Sequence, residues 1–168
     1  IMETIHTEKF DEQLKAVIPH LNNYQQLLPH IGKNWDTTPY KYLIIAESHY
    51  IDNGAISVEH EKNWYNYSTK DFKWKDYIAS IDTRLNVRQA DNALSFGKKR
   101  PYNHYYNIKK ELACNLEKLP KEELIFPYFS YYNYFQRPAY KEGHSIDNIE
   151  VDNKIAYETL NEIIKIIQ

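Results

Sequence analysis

Apolar residues fall at three- and four-residue spacing through the first thirty positions: Phe10, Leu14, Val17, Ile18 and Leu21, then Tyr24, Leu27, Leu28 and Ile31. That spacing predicts helix, because residues so separated share one face. Pro19 kinks or splits it, having no N–H for the ladder, and Gly32 marks its stop. The pattern then changes. Tyr42-Leu43-Ile44-Ile45 is an unbroken apolar run that gives way at once to Ala46-Glu47-Ser48-His49-Tyr50. Such a run predicts a short strand buried on both faces, the kind found in parallel sheets. Asn53-Gly54 signals a turn in a loop over 51–68. Helical spacing returns at Phe72, Tyr77, Ile78, Ile81 and Leu85, with Ser68 and Asp71 placed as a capping box. Residues 86–106 read as irregular. Asn107 caps a short helix carrying Ile108, Leu112, Ala113 and Leu116, closed by Pro120. Residues 124–135 predict a second strand with a turn at Pro127. A loop through Gln136-Arg137-Pro138 and Gly143-His144-Ser145 leads to a last helix with Ile155, Leu160, Ile163, Ile164 and Ile167.

The order helix, strand, helices, strand, helix predicts one α/β domain over 1–168, a three-layer α/β/α arrangement around a short, mostly parallel central sheet. Two strands cover their helices poorly, and the chain stops on an apolar helix. The expectation is therefore a domain lacking its C-terminal portion, with further strands beyond Gln168. The Ile that precedes Met2 points to a start upstream of residue 1 or to a residue added ahead of the natural start.

Composition narrows the classes. A hydrophobic fraction of 42% with only 4 Gly excludes a disordered chain. Lys and Arg total 21 against 23 Asp and Glu, a net charge of -2. That excludes a polybasic arm and an acidic tail but not a local basic groove. Cys114 is alone, so no disulfide forms within the chain and no cysteine zinc site is available. No apolar run nears the roughly 20 residues that span a bilayer, and the first residues lack a signal-peptide layout. A cytoplasmic protein without membrane contact is expected.

The candidate chemistry gathers after the first strand. Glu47, Ser48 and His49 bring a carboxylate, a hydroxyl and an imidazole to a strand's carboxyl end, where open α/β sheets take ligands. Consecutive side chains in extended backbone do not face one way, so they form no ready-made triad. No Gly-x-Ser-x-Gly elbow is present. Glu47 or His49 is the better candidate, as a base for water, with a purely structural Glu47 as the plain alternative. The seven His (6, 20, 30, 49, 60, 104, 144) show no i, i+4 pairing, and no metal site is expected. Tyrosine is 16 of the residues and suits stacking surfaces as well as cores. Phe96, Tyr102, Tyr105 and Tyr106 lie beside Lys98, Lys99 and Arg100, a pattern that fits bases and phosphates. Asn133, near the end of the second strand, offers an acceptor and two donors, matching a pyrimidine edge. A turn-forming Asn is the equal alternative.

The sequence of pieces resembles the uracil-DNA glycosylase superfamily. Ile44-Ile45-Ala46-Glu47-Ser48-His49-Tyr50 is similar to its first signature, a buried strand ending in a polar loop. Asn92-Ala93-Leu94-Ser95-Phe96, then Pro101 and Tyr106-Asn107-Ile108, is similar to its aromatic-bearing loop. Tyr131-Tyr132-Asn133-Tyr134-Phe135 resembles its uracil-binding strand. The likeness spans about residues 40–168 and rests on order and spacing. It implies a DNA-binding, DNA-repair hydrolase that flips a base and cleaves its N-glycosidic bond without metal or cofactor. By position it assigns water activation to Glu47, Ser48 or His49, crowding of the base to Tyr50, stacking to Phe96 or Leu94, base reading to Asn133, and phosphate contact to Lys98, Lys99 and Arg100. Ser48 stands where many members carry an Asp, His49 replaces a Pro, and no His-Pro-Ser signature is present. Two alternatives follow: a non-catalytic nucleic-acid or nucleotide-binding module of the same fold, and a Ser-dependent esterase using Ser48.

Overall fold

A computed structural model describes residues 4–39, 41–51, 63–66, 78–115, 124–139, 146 and 150–168. The predicted first helix is divided at Pro19. Helix α1, Asp11–Val17, buries Leu14 and ends with Ile18 N–H on the Leu14 carbonyl at 2.8 Å. Pro19 caps the short α2, His20–Asn23, where a missing N–H costs nothing. The apolar spacing then leaves the helix. Gln25–Leu27 is a 3-10 turn, and His30–Ile31 is a strand, β1. Gly32 is required there by contact rather than as a helix stop, because a Cβ on it would come 2.3 Å from the Pro127 carbonyl oxygen.

Strands β2, Leu43–Ala46, and β3, Ser130–Asn133, complete a three-stranded sheet of order β1-β3-β2. It is mixed: β1 runs antiparallel to β3, and β2 runs parallel to it with Ala46 opposite Asn133. The run at 42–45 is thus a strand, but among the described residues it lies at the sheet edge, with Ile45 48% exposed. The strand buried on both faces is β3, all four residues of which are buried. Pro127 sits in a 3-10 turn, Phe126–Tyr128, just before it.

Residues 86–106 are irregular only over 96–102. Helix α3 spans Thr83–Ser95, and α4 spans Asn103–Asn115, starting before Asn107. Asp82 caps α3, its carboxylate accepting from Leu85 N–H at 2.8 Å. The buried stripe of α3 is Val87, Ala90, Asp91 and Leu94, too small and too polar to register as an apolar face. Asp91 belongs there because its carboxylate accepts from the N–H groups of Ile125, at 3.2 Å, and Phe126, at 2.9 Å. Helix α5, Glu150–Ile167, follows the predicted last helix. The Asn53-Gly54 turn, the Ser68–Asp71 capping box, Phe72, Tyr77, Pro120 and Gly143-His144-Ser145 lie outside the described residues.

Alternation along β3 sends neighbouring tyrosines to different cores. Tyr131 joins Ile5, Val87, Phe126 and Phe129, with Ile108 and Leu112 of α4 packed against them. Tyr132 joins Leu14, Leu21, Trp35 and Ile163. Trp35 donates its Nε1–H to the Ile167 carbonyl at 2.8 Å, tying the end of α5 to the N-terminal half. Among the described residues, no helix is long and apolar enough to cross a membrane.

Candidate functional site

Parallel pairing of β2 and β3 delivers their carboxyl ends side by side. The chain after each strand keeps that company. Tyr134 N–H bonds the Ala46 carbonyl and Phe135 N–H the Glu47 carbonyl, each at 2.8 Å, and Ala139 N–H bonds the His49 carbonyl at 2.7 Å. Residues 47–50 are therefore held as an extension of the sheet rather than as a free loop. Beside them opens a cavity of about 490 Å³, lined by Glu47, Ser48, His49, Tyr50 and Asn133, with Tyr131 of β3, His104 and Tyr105 of α4, and Ser80 and Asn86.

His49 is the hub. Its Nε2 lies 2.9 Å from the Asn133 amide nitrogen and 3.0 Å from Thr83 Oγ1. Burial pushes its pKa down to about 4, against a smaller upward pull from the Ser80 backbone carbonyl. At neutral pH the ring carries no charge. With Nδ1–H directed to Ser80, the Nε2 lone pair accepts from Asn133 and Thr83. His49 thus fixes Asn133, its lone pair already engaged. A second set of contacts shapes the aromatic wall. Tyr131 Oη lies 3.3 Å from His104 Nε2, and the rings of Tyr105 and Tyr131 are 5.3 Å apart. Burial holds the Tyr105 phenol up at about 12 and raises Tyr131 further, so both phenols are neutral at pH 7.

Glu47 is exposed, and its Oε1 accepts from Ile146 N–H at 3.4 Å. Ser48 is buried, and among the described residues its Oγ has no hydrogen-bond partner. Tyr50 is 40% exposed.

The structure thus brings together five of the residues singled out in the sequence, Glu47, Ser48, His49, Tyr50 and Asn133. It does not bring Phe96 to them: that ring is 75% exposed beyond the end of α3 and does not line the cavity. Lys98, Lys99 and Arg100 are exposed beside it, Lys99 with its Nζ 4.3 Å from the centre of the Tyr106 ring. Sequence reasoning missed Ser80, Asn86 and His104 as wall residues and Thr83 as a partner of His49. Three of these sit on or next to α3, which the apolar spacing did not reveal. Among the described residues there is no group of three or more His, Cys, Asp or Glu able to hold a metal ion. No protein-family model, curated protein or solved structure matches the chain.

Proposed function

We propose that this chain is a uracil-DNA-glycosylase-like protein of three-layer α/β/α build that accepts a base flipped from DNA and hydrolyses its N-glycosidic bond in the cytoplasm. The observation that carries the reading is the convergence of Asn133 and residues 47–50, from adjacent strand ends in register, on one cavity walled by tyrosines. Its volume, about 490 Å³, falls within the span of small-molecule clefts, about 300–1,000 Å³.

In this reading Asn133, held by neutral His49, presents its remaining amide valences to the base edge. Tyr105, Tyr131 and Tyr50 supply stacking faces, the part Phe96 had been expected to play. Glu47, the exposed carboxylate lining the cavity, orients water and takes its proton as the oxygen attacks the sugar carbon and the bond to the base nitrogen breaks. Its negative charge also steadies the developing oxocarbenium ion. Lys98, Lys99 and Arg100 serve phosphates. They precede Asn103, where α4 begins and then carries His104 and Tyr105 into the cavity wall.

The test is base release from duplexes carrying uracil and other modified bases. Asn133→Ala should abolish release, at a stability cost of no more than about 1 kcal/mol, since His49 Nε2 keeps Thr83. Equal rates for the variant and the parent would overturn the reading. Ser48 favours a second reading, a module that binds without cleaving, because a hydroxyl stands where the resemblance puts an Asp. DNA retention without base release selects it. The esterase reading gains no support, since no described group contacts Ser48 Oγ as a base.

A further inference from the structure

A second cavity, about 790 Å³, lies between the N-terminal segment, α1, the Gln25–Leu27 turn and the start of α3. It shares no lining residue with the cavity at the strand ends. Its charges are unevenly used. Arg84 is fully engaged: its two terminal nitrogens take the Asp11 carboxylate at 2.7 and 2.5 Å, and its Nε donates to the Pro29 carbonyl at 3.1 Å. Lys15 is paired with Glu12. Asp82 caps α3. Arg88 and Glu8, which also line the cleft, have no counter-charge among the described residues. Arg88, one turn beyond Arg84 on the same face of α3, has no ion pair, and its Nε is buried without a partner. Glu8 is 76% exposed, and its neighbour at 3.8 Å is His6 Nε2. Burial, and then the Arg84 charge, lower the His6 pKa, so that ring does not neutralise Glu8 at pH 7.

We infer that this cleft is a binding site for a small zwitterion of the free amino-acid class, its carboxylate on Arg88 and its ammonium on Glu8. A guanidinium matches a carboxylate fork-to-fork. His6 and Gln26 also line the cleft, and His6 Nδ1 and Gln26 Oε1 are buried without partners among the described residues. A polyanion is disfavoured by the carboxylates of Glu8, Asp11, Glu12 and Asp82 around the same cleft. The inference does not rest on the base-binding reading, and the two fail separately.

Saturation-transfer NMR and calorimetry on the full chain test it, with individual L-amino acids, acetate and inorganic phosphate as probes. The expected result is saturable binding of at least one amino acid, with acetate and phosphate weaker by about tenfold or more. Arg88→Gln should weaken that binding by about tenfold or more, Arg88→Lys by less, and Asn133→Ala not at all. Where Arg88→Gln fails to fold, Glu8→Gln on its exposed side chain decides, weakening the amino acid but not acetate. The inference is overturned by absence of saturable amino-acid binding, by phosphate or acetate binding as tightly, or by variants that leave affinity unchanged.

Discussion

Two buried polar clusters lie at the end of β3, and they differ in one respect. Toward α5, Gln136 donates to the Asn133 carbonyl at 2.7 Å and meets His20 Nε2 at 3.1 Å. Arg137 holds Asp152 through Nε at 3.2 Å and a terminal nitrogen at 2.8 Å, and Tyr65 donates to the same carboxylate at 2.9 Å. Donors and acceptors there meet inside the protein. Toward α3, the His49, Asn133 and Thr83 cluster is only partly closed. It leaves Ser48 Oγ without a partner among the described residues and opens on a cavity. A polar cluster that consumes its own valences is architecture. One that keeps some of them beside a void is equipped to take something else.

The closed cluster gives the largest expected effect. Asp152 and Arg137 have side chains 0% and 2% exposed. Removing one partner strands the other charge out of water, which costs about 3–5 kcal/mol. Asp152→Ala should lower the unfolding free energy measured in urea by that amount, and Arg137→Met with Asp152→Leu together should recover much of it. A loss under about 1 kcal/mol for Asp152→Ala would remove the contrast between the clusters.

That contrast was only half legible in the sequence. The apolar run at 42–45 followed by a polar cluster announced a strand end with chemistry, and Tyr131-Tyr132-Asn133 announced its partner. Both follow from period and composition. The edge position of β2 did not, because four apolar residues look alike whether one or both faces are covered, and Ile45 stays half exposed on a strand rich in apolar residues. Strand β1 was hidden inside a helical spacing that Leu27, Leu28 and Ile31 continue by coincidence. Helix α3 was hidden because its buried face is made of Val87, Ala90 and Asp91, and a carboxylate becomes a core residue only through two backbone N–H groups distant in sequence. Asn86 of the cavity wall, on the same helix, went unseen for the same reason. Arg137 reads as a loop residue and Asp152 draws no notice, since pairing across the fold leaves no local trace.

The next effect is a pH dependence. Burial lowers the pKa of His49 to about 4 and of His30 to about 3, from an ordinary 6.5. Below pH 6.5 the unfolded chain gains protons on both rings while the folded chain does not. Stability is therefore full above pH 6.5 and declines as pH falls toward 4. Each ring contributes a slope of up to about 1.4 kcal/mol per pH unit in that window. His49→Gln should remove one such contribution between pH 5 and 6.5, measured by urea unfolding at several pH values. An unchanged slope would mean that His49 is protonated in the fold and that Asn133 is held some other way.

The smallest effect sharpens the comparison most. Ser48 contributes a buried hydroxyl that no described group uses, so Ser48→Ala should shift stability by no more than about 0.5 kcal/mol, toward greater stability if at all. In the closed cluster no removal of a polar atom would be so free of cost. Function divides on the same substitution. Under the glycosylase reading, base release persists in Ser48→Ala, because Glu47 orients the water and Asn133 holds the base. Release lost as completely as in Asn133→Ala would instead make Ser48 a working group. The unpartnered hydroxyl would then be the open valence that the substrate itself satisfies.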